Sequence, residues 1–292
     1  MESILSTVVA ALQTVWQWMN ANFTIAFVGG LTGAFGGALG AQRIVERARQ
    51  REDWLRELRN TNAATMVAFS ACNAALATKK QHAEPLRKKF NEAKEALLTF
   101  QAERASGQRQ GNAEYHVELD LKVFPAPVVP IETLKNLVFQ RLSAVGRPLA
   151  LVSVLEQSLA GARDAVAKRE ALVQRFATGQ IPEKLTAHFY FGLKLPNGHV
   201  SLEHADLVEG VYSYVDDIAF FAALLCADLT EHGERLRAAY VKRYGKDAPQ
   251  VSKVDLTGPK GSGLIPPDSQ YNDWLRAFAK PDASPAQPNL AR

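Results

Sequence analysis

Lysine and arginine are missing from the first 42 residues, where Glu2 is the one charged side chain. A cleaved export signal opens with a basic segment, so this gap argues against one, although Ala38, Gly40 and Ala41 are small enough for a cleavage site. Cysteine is nearly absent as well. Cys72 and Cys226 stand far apart, in no spacing that holds zinc, and read as buried thiols of a reducing compartment. An excess of charge of one sign is lacking too: 34 Lys and Arg face 30 Asp and Glu, a balance that does not point to nucleic acid.

Catalytic motifs are equally scarce. No GxSxG nucleophile elbow and no Cys/His nucleophile arrangement occurs. Thr257 to Gly263 reads TGPKGSG, but its lysine precedes the last glycines and the four-residue gap of a phosphate-binding loop is absent, so a solvated loop is expected. Six histidines offer one weak metal-ligand set, His199, His204 and His232, with Asp206, Asp216, Asp217 and Glu231 near them in sequence. Asp216 and Asp217 point about 100° apart on a helix, and Glu231-His232 lacks the two-histidine spacing of a zinc protease helix. No cofactor is implied.

What the chain does contain is an uncharged run, Phe23 to Ala41, FTIAFVGGLTGAFGGALGA. At 1.5 Å per residue a helix of this length crosses roughly 30 Å of hydrocarbon. Gly29, Gly33 and Gly37 recur every fourth residue, and Gly36 and Gly40 form a second row, which is how helices approach closely in lipid. A transmembrane helix over 23–41 that packs on copies of itself is the expectation. Arg43, Arg47, Arg49 and Arg51 follow at once and place the remainder in the cytoplasm, with contact to anionic lipid as a further role. Before the run, Val8, Val9, Leu12, Val15, Trp16 and Met19 share one stripe, expected as an interfacial helix over 1–20, with a short first span that turns at Asn20-Ala21-Asn22 into the second as the alternative. Residues 1–41 thus form an anchor.

The rest is mainly helical by its periodicity. Residues 42–112 read as a stalk helix, kinked or ended at Pro85, followed by a second helix to about Arg104 that completes a helical hairpin. Lys79, Lys80, Arg87, Lys88 and Lys89 form a basic patch there, expected as a solvated face. Residues 113–280 read as a helical domain with one small β element, and 281–292 as a disordered tail. Tyr115, Val117, Leu119, Leu121 and Val123 alternate with His116, Glu118, Asp120 and Lys122 at the period of a half-buried strand. Helices are expected from Pro130 to about Gly146, from Pro148 to about Thr178 with Gly161 as a weak point, and from about Ala205 to Tyr244, while Pro196-Asn197-Gly198 is a hairpin turn.

The resulting expectation is a mainly α protein of the inner membrane, single-pass, with its large C-terminal domain cytoplasmic. Its leading function is that of a self-associating scaffold or sensor, with membrane lipid, a second copy and a cytoplasmic protein as partners. An oligomeric pore or membrane-disrupting effector is the alternative, and a membrane-tethered metal-dependent enzyme the third reading.

Overall fold

The computed structural model describes the backbone of residues 2–108, 115–245 and 247–278, with side chains described in all of these except 2–6, 20–36 and 38. Of the described residues 76% are helical. In order the elements are α1 (Glu2–Thr78), a π-helical turn (Lys79–Ala83), α2 (Glu84–Ala105), α3 (Ile131–Lys135) with a π-helical turn (Asn136–Gln140), α4 (Arg147–Ala177), α5 (Glu183–Phe191), α6 (Glu203–Tyr244), α7 (Thr257–Gly261), a 3-10 turn (Asp268–Tyr271) and α8 (Asn272–Arg276). Two compact units divide at Arg56–Glu57, inside α1.

In the first unit the helix passes Asn20-Ala21-Asn22 without a break. The turn that the alternative reading, a hairpin of two spans, requires there is therefore not made. No proline occurs in the first 84 residues, and two asparagines around an alanine do not end a helix that is bonded on both sides.

In the second unit the buried positions of α1 and α2 follow one seam: Ala64, Ala68, Ala71, Ala75, Lys79, Ala83, Leu86, Phe90, Leu97 and Phe100. Every step is three or four residues or their sum, so all lie on one face. The alanines let α6 approach closely through Ala219, Ala222, Ala223 and Cys226, all buried. The two helices run antiparallel, since Cys226 Sγ meets the Thr65 carbonyl, Cys72 Sγ meets the Ala219 carbonyl and Lys79 meets Asp216. Helix α4 is also antiparallel to α6, as the pairs Arg147–Asp228 and Arg175–Glu203 show. Gly161, expected as a weak point, makes room for a side chain of α6: a Cβ there would sit 2.5 Å from the Tyr214 ring.

Two hydrophobic cores share this three-helix frame end to end. One takes α1 from Ala64 to Leu76, α4 from Leu151 to Ala162 and α6 from Val215 to Leu229. The other takes Ala83 to Leu97, α4 from Ala165 to Phe176, Tyr190 and Phe191 of α5, and Val208 and Val211 of α6. By length and composition α6 could cross a membrane, with a mean hydropathy of 1.4 over its most apolar window, yet 61% of that window is buried within the protein. It is the central helix of the bundle.

Pro85 neither ends the helix nor starts a hairpin. It has no N–H and its ring crowds the carbonyl four residues back, and the chain responds by widening: the Glu84 N–H bonds to the Lys79 carbonyl, five residues back. No loop separates α1 from α2, and a hairpin needs one. The helix expected from Pro130 closes early, passing from α3 into the π turn at Asn136–Gln140 and ending at Arg141.

The described residues contain no strand. At the Pro196 turn the hairpin shrinks to a single antiparallel bridge, Lys194 with Val200, closed by the Leu195 N–H on the His199 carbonyl at 2.7 Å. Residues 115–123 keep the period of a strand in their burial, odd positions half-buried until Leu121 and His116, Glu118 and Lys122 exposed, but they pair with no neighbour. Their backbone is held by side chains instead. Past α6 the chain returns across α1, where Asn62 clamps it by accepting from the Ser252 N–H and donating to the Gln250 carbonyl, both at 2.8 Å. TGPKGSG forms α7, a single turn whose Thr257 N–H is capped by Asp255. The boundaries expected at 112 and 280, and the tail 281–292, fall outside the described residues.

Candidate functional site

A cavity of about 600 Å³ forms a groove between residues 115–122 and the α2 side chains Lys89, Glu92 and Ala93. Tyr190 of α5 also lines it, and two further buried polar residues, Arg169 of α4 and His204 of α6, complete the set that holds this wall. Arg169 of α4, 2% exposed, donates from Nη1 to the Lys122 carbonyl at 2.7 Å and from Nη2 to the Asp120 carbonyl at 2.9 Å. The hydroxyl of Tyr190 accepts from the Asp120 N–H at 3.1 Å. His204 stacks on the Tyr190 ring with centroids 4.1 Å apart, and its Nδ1 lies 3.0 Å from the Tyr190 carbonyl.

These contacts fix protonation states. A carbonyl can only accept, so Nδ1 of His204 carries the proton and Nε2 is left without a partner. Desolvation pushes the His204 pKa down to about 4, against the bond to Tyr190, so the ring is neutral at pH 7. Burial raises the Tyr190 phenol and lowers the Arg169 guanidinium, which finds two carbonyls and no carboxylate in hydrogen-bond contact. The arrangement holds a length of backbone in place. It sets no nucleophile beside a base.

A second polar cluster sits between the two cores. Lys79 is 3% exposed, with Nζ 2.6 Å from Asp216 Oδ1 and 3.0 Å from the Leu264 carbonyl. Burial raises the Asp216 carboxyl despite the lysine, and likewise raises Asp217, which accepts from the Tyr271 hydroxyl at 2.8 Å. At the other end of the α1/α6 contact, Glu57 accepts from the Ser143 N–H and hydroxyl and lies 3.2 Å from His232 Nε2. Burial opposes ionisation of Glu57, but the bonds from His232 and Ser143 prevail and hold it at about 2. Serine, carboxylate and imidazole are all present here, yet the carboxylate lies between the other two, so no imidazole takes the serine proton.

The expected site residues separate accordingly. Lys79 leaves the basic patch for the interior, because it occupies a seam position; Arg87 pairs with Glu209 at 2.7 Å over the Tyr212 ring, Lys88 with Glu92 and Lys89 with Asp120. Of that patch Lys80, Lys88 and Lys89 are exposed. The three histidines do not converge. His199 lies exposed beyond the Pro196 turn, and His204 and His232, 28 residues apart on α6, are separated by about 42 Å of helix. Among the described residues no group of His, Cys, Asp and Glu is placed to hold a metal. Arg43, Arg47, Arg49 and Arg51 are exposed on α1. Gly37 and Gly40 have open space where a side chain would be, while the surroundings of Gly29, Gly33 and Gly36 lie outside the described residues. Burial pushes Cys72 up to about 11 and Cys226 up to about 12, which keeps both as unreactive thiols.

Arg169 and Tyr190 carried no sequence signal, since each acts on backbone some 50 to 70 residues away. Comparison with known proteins finds no matching family model, no similar curated protein and no similar solved structure.

Proposed function

We propose that this chain is a membrane-anchored, self-associating interaction protein whose helical domain presents a docking surface on the cytoplasmic side of an inner membrane. One observation carries the anchor: the described large apolar side chains between Val8 and Val45 lack protein cover. Trp16 is 66% exposed, Trp18 68% and Ile44 71%, with Val8, Leu12, Val15, Met19 and Leu39 also exposed. An apolar stretch this long, continuous with the uncharged glycine run on one unbroken helix, requires an apolar environment that the protein itself does not supply. The arginines that follow fix the orientation. Gly37 and Gly40, open at the Cβ position, support packing of copies along the glycine rows.

The domain supports binding over catalysis. Its groove at residues 115–122 is walled by a length of chain held by Arg169 and Tyr190, without an activated nucleophile beside it. The test is carbonate extraction of membranes from cells making the full chain, followed by light scattering in detergent. Retention in the pellet, and a mass that falls when Gly33 and Gly37 are both replaced by leucine, is the expected result. Release by carbonate would overturn the anchor, and an unchanged mass would overturn packing by the glycines.

A further inference from the structure

Residues 117–123 have one edge occupied and one edge open. In an extended chain, alternate residues turn their N–H and C=O groups to the same edge. Asp120 and Lys122 use theirs within the protein: Arg169 bridges the two carbonyls, Tyr190 receives the Asp120 N–H and the Asp120 carboxylate receives the Lys122 N–H at 3.1 Å. The backbones of Val117, Leu119, Leu121 and Val123 make no hydrogen bond among the described residues. Those odd-numbered groups face the opposite edge.

Along the same stretch two opposite charges are left over. Glu118 and Lys122 are both exposed and neither forms an ion pair among the described residues. At about 3.3 Å per residue they lie about 13 Å apart, too far to meet each other within one chain. An antiparallel copy of the same stretch brings them together. With the register centred on Asp120, Glu118 of each copy lies opposite Lys122 of the other, Leu119 opposite Leu121, and Val117 opposite Val123, which is 46% exposed in the single chain. The same register sets every open N–H against an open C=O. Its one adverse pair is Asp120 against itself, and that carboxylate is turned onto its own Lys122 N–H and lies 3.8 Å from Lys89.

We infer that residues 117–123 pair with the same residues of a second copy in a two-fold antiparallel ladder centred on Asp120. The strand period in the sequence then has its partner in another molecule. This contact deepens the self-association proposed above while resting on different residues from the glycine rows.

The test is made on the full chain in detergent. Glu118→Cys and Lys122→Cys together are expected to give a disulfide-linked dimer under mild oxidation, while either substitution alone gives none, because a residue then faces no thiol across the ladder. Cys72 and Cys226 are buried and add no background. Without cysteines, Glu118→Lys and Lys122→Glu should each weaken association by about tenfold, and the two together should restore it. Equal dimer yield from the double and single cysteine variants, or a double charge swap no better than the single ones, overturns the inference. Repeating the disulfide test with Gly33→Leu and Gly37→Leu separates the two contacts: the link forms even where packing by the span is lost.

Discussion

Lys79 and Asp216 form an ion pair at 2.6 Å with side chains only 4% and 12% exposed. Lys79 is a seam residue between Ala75 and Ala83, so its charge enters the bundle because of its position and is tolerated because α6 supplies an acid there. Removing one partner strands the other. Lys79→Met is expected to cost about 3–5 kcal/mol at pH 7 by urea unfolding, and Lys79→Met with Asp216→Leu to recover most of it. Burial already raises the Asp216 carboxyl, so in the single variant this acid binds its proton more readily when folded than unfolded. The cost should shrink as pH falls. A penalty below 1 kcal/mol at pH 7 would mean that the pair contributes little to stability.

Gly161 and Tyr214 give a prediction of sign. In a helix interior, replacing glycine with alanine normally gains about 1 kcal/mol. At Gly161 the new methyl meets the Tyr214 ring at 2.5 Å, and overpacking of this kind costs about 1–3 kcal/mol. Gly161→Ala is therefore expected to destabilise the native chain and to stabilise a Tyr214→Ala background. Thermal or urea unfolding of the four proteins in the cycle reads the reversal. The same sign in both backgrounds would show that the ring moves aside freely.

His204 makes stability depend on mild acid. Its folded pKa of about 4 lies below the ordinary histidine value near 6.5, so the unfolded chain binds the proton first. Between these values, stability falls as pH falls, by a total on the order of 3 kcal/mol, and is regained as pH rises through 6.5. Urea midpoints from pH 7 to pH 4 should show this loss. His204→Phe, which keeps an aromatic ring in the stack and removes the titration, should flatten the curve in that interval while lowering stability at pH 7 through the unpaired Tyr190 carbonyl. A slope unchanged by that substitution would place the acid sensitivity elsewhere.

The long helices were legible because periodicity is local. Helix α4 starts within a residue of the expected Pro148, and α6 runs from Glu203 to Tyr244 where Ala205 to Tyr244 was expected. The period of Val117 to Val123 was legible too, as the alternation of their burial shows, but a ladder depends on a second strand and the described residues of one chain provide none. Pairings across the fold left no trace in sequence. Nothing near Lys79 distinguishes it from Lys80, its exposed neighbour, until α6 places Asp216 against one of them. The histidines misled for the same reason: proximity along α6 does not bring His204 and His232 to one point, because a helix of this length holds its ends apart.

The π turn at Lys79–Ala83 is, in counting terms, one residue too many. Seam steps that alternate four and three elsewhere run four, four and four from Ala71 to Ala83, and the wider turn absorbs the surplus so that Leu86 and Phe90 still face the second core. Chain length is therefore the sensitive quantity here, more than residue identity. Losing one residue from this turn leaves an ordinary heptad running from core to core, whereas gaining one swings α2 by about 100° and carries Phe90, Leu97 and Phe100 out toward water.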